Sequence, residues 1–328
     1  AWQLLQQAVM LPFSYTHIPA PSLLTLLLAM IAVWLILAPF LCSMRILGLW
    51  LLLPLFFKAT ERPNTGEFWY ELLDVGQGLS AIIRTNNHTL VYDAGAHRQG
   101  GFDSGEQILL PLLRQYQVTH LDRLIISHGD NDHAGGALAL LRTYPELELF
   151  TAAEEKFQPF QPVACLSGQQ WEWDGVKFDM LHPSSTSGSG NNSSCVLRIE
   201  NQAGSLLLPG DIESNVERRL LMLRPEALRA DILVAPHHGS RTSSISAFVE
   251  AVKPDWVLFA VGYRNRYGFP KPEVLSRYRQ VGAMPLNTAD TGQISFQFNR
   301  DGIKGPFYYR KNNRKFWHHS TQDIVIHK

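Results

Sequence analysis

The chain has 328 residues, of which 45% are hydrophobic, enough to build one large domain or two ordinary ones. Its 29 basic and 29 acidic residues cancel, which excludes the overall basic signature of a protein that coats nucleic acid. Three cysteines, Cys42, Cys165 and Cys195, show neither CxxC nor CxH spacing and so exclude a thiolate zinc site.

Charge is unevenly spread. From Ala1 to Phe57 the only Asp, Glu, Lys or Arg is Arg45. Ser22 to Cys42 runs 21 residues without a charge, close to the ~20 needed to cross a bilayer core, and predicts a transmembrane helix. The 12 residues from Ile46 to Phe57 predict a short, tilted or interfacial segment. No basic region precedes the first apolar run, so a secretory signal is disfavoured, and this part reads as the tail of a larger membrane protein. Arg45, Lys58 and Arg62 are too few to orient it. "TERPNTGE" (Thr60 to Glu67) is a linker.

Beyond the linker, "FWYELLDV", "LSAIIRT" and "HTLVYDAG" read as strands. Strands and helices then alternate. "DRLIISH", "ELELF", "CVLRIE", "SLLLPGD", "ADILVAPHHG" and "DWVLFAVG" are strands, with helices at "QILLPLLRQYQ", "GGALALLRTY", "ESNVERRLLML", "ISAFVEAV" and "KPEVLSRYRQ". This order predicts an α/β fold of sheets covered by helices. "SSTSGSGNNSS" (Ser184 to Ser194) has the composition of a flexible linker.

Four predicted strands end in acids or histidines: Asp93, the cluster "HGDNDH" (His128 to His133), Asp211, and His237 with His238. Strand ends that share one sheet edge bring such residues together. In an extended loop His128, Asp130 and Asp132 project to one side. The set suits two neighbouring cations, His128 with Asp130 holding one, Asp132 with His133 the other, and Asp211 bridging. Oxygen and imidazole ligands fit Zn²⁺, Mn²⁺ or Fe. A Cys165–Cys195 disulfide would require an oxidising compartment.

"HGDNDHAGG" resembles the HxHxDH motif of the metallo-β-lactamase superfamily. Together with "LDVGQG", "VYDAG", "LLPGDIE", "APHHGS" and "GYRNRYGFPKPEVL" behind hydrophobic segments, it resembles the C-terminal part of ComEC-type DNA-uptake proteins of competent bacteria. The resemblance spans most of Phe68 to Phe298. It implies an αββα sandwich at residues 61–300, preceded by one or two membrane helices ending a polytopic channel region (residues 1–60) and followed by a basic aromatic tail (301–328). It makes His128, Asp130, Asp132, His133, Asp211 and His237 the metal ligands, with His238 as the alternative to His237. Asp93 would orient the histidine loop, and Gly76, Gln77 and Gly78 would shape the adjoining turn. Asn191, Asn192 and Ser194 stand where many members carry another ligand histidine.

Such an oxygen-rich site favours two Mn²⁺ or Mg²⁺ ions, with Zn²⁺ also admissible. Two members of the family pattern are altered: Leu79 stands for an aspartate after "GQG", and Phe269 for a histidine in "YGFP". The implied function is a metal-dependent nuclease that degrades the non-transported DNA strand. Asp132 or Asp211 would orient water, His238 would donate a proton to the leaving oxygen, and Asn191, Asn192, Ser194, Asn265 and Tyr267 would contact substrate. The implied setting is the bacterial inner membrane, with the soluble domain on the periplasmic face and partners in the rest of the channel protein and in DNA-receptor and translocation proteins. The alternatives are a non-catalytic DNA-guiding module and another hydrolase or phosphodiesterase of the same fold. The tail "GPFYYRKNNRKFWHH" (Gly305 to His319) interleaves aromatic and basic residues, either as a strand-stacking surface or as a solvated basic terminus.

Overall fold

The structure, a computed structural model, describes residues 2, 6, 7, 21–39, 42–56, 61–98, 100–186, 188 and 190–313. The chain divides into two units, residues 1–61 with 111–119, and residues 62–110 with 120–328.

In the first unit a helix spans Leu23–Leu37, 15 residues long, and its N-cap Ser22 accepts a hydrogen bond from the Thr25 N–H at 3.2 Å. It ends at Ala38, where the following Pro39 disfavours further α backbone. A second helix, Arg45–Leu52, lies so close that a Cβ on Gly48 would stand 2.9 Å from the Ala32 carbonyl oxygen. Among the described residues no helix is long and apolar enough to cross a membrane. The continuous 21-residue span is therefore replaced by a 15-residue helix and a break.

Among the described residues the second unit contains fifteen strands: β1 (Phe68–Leu72), β2 (Ser80–Arg84), β3 (Thr89–Ala94), β4 (Arg123–Ile126), β5 (Glu148–Thr151), β6 (Val163–Ala164), β7 (Gln170–Trp173), β8 (Val176–His182), β9 (Val196–Asn201), β10 (Gly204–Leu208), β11 (Ile232–Val234), β12 (Trp256–Phe259), β13 (Met284–Asn287), β14 (Ile294–Asn299) and β15 (Gly302–Tyr308). They form two mixed sheets, ordered β15-β14-β1-β2-β3-β4-β5-β6 and β13-β12-β11-β10-β9-β8-β7.

Period-2 alternation builds the layers. In β10 and β11, Leu206, Leu208, Ile232 and Val234 point into the core shared with Phe68, Tyr70 and Leu72 of the other sheet. Leu207 and Leu233 between them point outward, against Val216, Leu220, Phe248, Val249 and Tyr278 of three helices, Ser214–Leu223, Ser246–Val252 and Pro272–Gln280. Strands buried on both faces read as continuous apolar runs, as "SLLL" does. β14 alternates instead, Ile294, Phe296 and Phe298 buried and their neighbours half-buried. The expected α/β layering is present.

Two expectations change here. β15 pairs with β14, so the sheet continues past residue 300, and the first part of the supposed tail is an edge strand. Residues 314–319 of that tail lie outside the described residues. The expected "GGALALLRTY" helix is present as Ala137–Thr143, while the "HGDNDH" loop before it, expected to be extended, ends in a short helix, Asn131–Ala134. Cys165 and Cys195 are disulfide-bonded, both sulfurs inside the core.

One buried acid serves this scaffold. Glu217 accepts hydrogen bonds from the Ser244 and Ile245 N–H groups, at 2.5 and 2.9 Å, and so caps the helix Ser246–Val252. Burial pushes its carboxyl up to about 7, against the pull of those donors and of Arg277. A raised folded-state value favours the fold below the ordinary 4.5, and that contribution disappears as pH climbs through about 7. Between pH 4.5 and 8 the native state should lose on the order of 3 kcal/mol relative to a Glu217→Gln variant, at ~1.4 kcal/mol per pH unit. Urea unfolding of both proteins across that range checks it; parallel pH profiles would refute it.

Candidate metal centre

The C-terminal ends of β3, β4, β10 and β11 converge, as the strand-end argument requires. β3 ends in Asp93, fully buried and left-handed at φ 57°, a conformation that aspartate tolerates. One of its carboxylate oxygens accepts from the Ser127 N–H at 2.6 Å; the other accepts from the Ser127 hydroxyl at 2.8 Å and lies 2.8 Å from His133 Nδ1. Asp93 therefore holds the loop after β4 and the tautomer of His133 together.

That loop is extended only as far as Asp130. Asp132 and His133 lie in the first turn of Asn131–Ala134, whose N-cap residue is Asp130. Gly78 lets the GQG turn approach: at φ +141° its Cβ would stand 2.4 Å from the Asp132 carbonyl oxygen. The same oxygen accepts from the Leu79 N–H at 3.0 Å, and the Leu79 side chain turns into the core. The aspartate-to-leucine departure therefore removes no group facing the cluster. Gln77 Oε1 accepts from the Gly262 N–H at 3.3 Å, tying this turn to the loop after β12.

His133 Nε2 lies 3.2 Å from Asp211 Oδ1 and 3.2 Å from His238 Nε2. His238 Nδ1 donates to the Ala260 carbonyl at 2.8 Å, and its Nε2 lies 3.4 Å from Asp132 and 3.6 Å from Asp211. Because each Nδ1 carries its hydrogen toward an acceptor, both Nε2 lone pairs face each other and two carboxylates. Two lone pairs and two carboxylates without a proton donor between them need a positive charge, supplied by a proton or by a metal ion. His128 Nε2 is buried with no hydrogen-bond partner, 3.6 Å from Asp130 Oδ2. Ligand atoms of His128, His133 and Asp211 lie within 4.8 Å of one another, and so do those of Asp132, His133 and His238. This donor set fits divalent cations.

The electrostatics agree. Burial disfavours charge on His133, yet Asp211 and Asp93 hold its pKa well above the usual range. Burial raises Asp132, but His238 and His133 bring it down to about 2. Asp211 is held well below the carboxylate range by His133 and His238, against its burial. Burial and the charge of His133 push His128 down.

Of the two adjacent histidines the geometry selects His238. Both take left-handed backbone, φ 51° and 55°, which swings their rings apart to a 66° interplanar angle. His237 is left on the rim, its Nε2 3.9 Å from Asp211, 3.3 Å from Asn191 Nδ2, and its Nδ1 3.1 Å from the Thr242 hydroxyl. His238, the alternative to His237, is thus the ring that stands with Asp132 and His133. Asp130 stands beside His128 with its side chain 61% exposed.

Three of the expected substrate contacts brace the loops around the cluster. Ser194 is fully buried; its hydroxyl donates to the Asn191 carbonyl and accepts from the Asp211 N–H. Asn192 bonds Glu213 through both side-chain ends, 3.0 and 3.2 Å. Asn265 accepts from the Phe269 N–H at 2.9 Å and donates to the Phe269 and Gly262 carbonyls, closing its own loop. Asn191 and Tyr267 remain at the rim. The Phe269 ring lies 6.0 Å from that of His237 and stacks at 5.4 Å on that of Tyr267. His182 Nδ1 lies 3.0 Å from the Ser194 carbonyl, and His182 stays outside the cluster.

Sequence reasoning missed Ser127, which binds Asp93, and Arg98, Tyr263, Arg264 and Arg266. The last four line a cleft of about 610 Å³ with Asp132 and Tyr267. The alternation "YRNRY" was the available signal.

Two facing sheets, an outer helical layer and a histidine-aspartate cluster at the strand ends define a metal-binding hydrolase scaffold. Residues 73–261 match the model of the metallo-beta-lactamase superfamily, and the chain belongs to that superfamily. Among curated proteins it is 34% identical over 76% of its length to Recombination protein 2 of Haemophilus influenzae, covering 31% of that protein. It is also 34% identical to Competence protein ComA of Neisseria gonorrhoeae (90% of this chain, 42% of that one) and 29% identical to ComE operon protein 3 of Bacillus subtilis (71% and 33%). The chain thus spans a third to two-fifths of these relatives.

Proposed function

We propose that this chain is a metal-dependent phosphodiester hydrolase acting on single-stranded DNA, the nuclease part of a DNA-uptake channel. The observation that carries the reading is the facing of the His133 and His238 lone pairs among Asp132 and Asp211, a buried site organised for cations. Two divalent ions held there would activate water and stabilise charge on a phosphodiester, Mn²⁺ or Mg²⁺ being favoured by the oxygen-rich donor set. Asp211 would serve both ions, His128 and Asp130 one, and Asp132, His133 and His238 the other. Asp93 and the Ala260 carbonyl fix the imidazoles from behind, while Ser194 holds the backbone of Asp211. The names of the relatives support competence as the setting.

Two observations support placement at a membrane with the domain on the periplasmic face. Leu23, Trp34, Leu37, Ile46 and Trp50 expose large apolar surface on the first unit, a surface suited to lipid or to further channel helices. The Cys165–Cys195 disulfide belongs to an oxidising compartment. DNA-receptor and translocation proteins would be the partners.

The test is cleavage of single-stranded DNA by the whole chain in detergent with Mn²⁺, Mg²⁺, Zn²⁺ or EDTA, beside Asp132→Ala. Cleavage that depends on metal and disappears in the variant is expected. A folded, metal-loaded protein that leaves the strand intact would favour a non-catalytic DNA-guiding module, with Phe269 marking the loss.

A further inference from the structure

Resting on the phosphodiesterase reading, we propose that the cleft on the Asp132 side is a nucleotide subsite: an unpaired base stacks on the Tyr263–Tyr267 loop while Arg98, Arg264 and Arg266 take the flanking phosphates.

The loop is closed by its own hydrogen bonds. The Asn265 side chain bonds both ends of it, and the Asn265 N–H and the Gly268 N–H close two further turns at 3.2 and 3.1 Å. Arg264 is held in left-handed backbone at φ 51°, a strained conformation kept by the surrounding bonds. A Cβ on Gly262 would stand 2.7 Å from the Gln77 N, so the loop lies directly against the turn that carries the metal loop. Preorganisation of this kind lowers the ordering cost of binding.

What the loop displays has the chemistry of a strand-binding surface. Tyr263 and Tyr267 are 52% and 44% exposed, and each carries an arginine against its ring, Arg264 at 5.2 Å and Arg266 at 4.9 Å. Six arginines elsewhere in the domain, Arg84, Arg123, Arg198, Arg224, Arg241 and Arg310, are paired with carboxylates. Arg98, Arg264 and Arg266 make no such pair among the described residues. Three cations gathered beside Asp132 are complementary to an anion with at least two charges, and the exposed tyrosine surface to a flat base.

Size and charge narrow the ligand. About 610 Å³ admits one nucleotide unit and not a duplex, whose base faces are hidden in the stack. On the other side of the metal loop, a cleft of about 730 Å³ is lined by Asp130, Glu154 and Glu155, with Lys156 donating to the Gly129 carbonyl, and disfavours phosphate. The Asp132 side is therefore the one that holds the nucleic-acid backbone.

The experiment is fluorescence anisotropy of the whole chain in detergent and EDTA, with a short labelled oligothymidylate and an abasic oligonucleotide of equal length. The abasic strand should bind about 10-fold more weakly, the usual effect of one or two stacked bases. That difference should vanish in Tyr263→Ala/Tyr267→Ala, and Arg264→Gln/Arg266→Gln should reduce the salt slope by about 2. Equal binding of both strands to the unaltered protein overturns the proposal, with no variant needed. So does a difference that survives the tyrosine substitutions in a protein that still unfolds cooperatively. Hydrolysis of bis(4-nitrophenyl) phosphate, which has no base, separately judges the metal chemistry: its absence with every cation counts against the nuclease reading and leaves the anisotropy result to decide the subsite.

Discussion

Asp211→Asn is expected to lower metal-dependent cleavage of single-stranded DNA at least about 10³-fold, the scale for removing a group that acts on the reacting charge. Its carboxylate is the one that reaches His133, His238 and the His128 set together. Asparagine keeps the shape and the Ser194 contact to the backbone N–H but removes the charge that would offset two cations. Metal content by mass spectrometry should fall from two ions per chain toward one or none, alongside single-turnover cleavage rates. A variant that keeps both its ions and its rate would remove Asp211 from the bridging role.

Asp93→Asn should act differently, because Asp93 reaches the cluster through Ser127 and His133. Asparagine tolerates the left-handed backbone, so the substitution isolates the charge. Loss of such a support is expected to weaken metal binding about 10- to 100-fold. Removing one partner of a buried pair should also cost about 3 kcal/mol of stability. Calorimetric metal titration and urea unfolding measure the two effects. Activity should recover at high metal concentration, as it should not for Asp211→Asn; failure to recover would mean that Asp93 does more than position.

The order of strands and helices was legible because β10, β11 and β12 are buried on both faces and announce themselves as apolar runs. Six strands were not read from the sequence: β6, β7, β13 and β15 are sheet edges, and β8 and β14 are interior strands whose alternating sequences "VKFDMLH" and "ISFQFN" place polar residues on one face. The helix of the apolar N-terminal run was legible, although it ends at Leu37, before Pro39 and short of the expected span.

For the site, the residue types by themselves determined the chemistry: two histidines and two aspartates within six positions, and further acids and histidines after apolar strands, restrict the ligands to oxygen and imidazole. The tertiary structure decided what each residue does. His237 and His238 are chemically identical neighbours, and the choice between them rests on successive left-handed residues that send one ring to Ala260 and the other to Thr242. Ser194, Asn192 and Asn265 are polar loop residues in sequence, and only the fold turns them inward as braces. Ligand chemistry is carried by the side chain and is written in the sequence; direction is set by backbone dihedrals and by contacts with strands far away along the chain, which no local pattern contains.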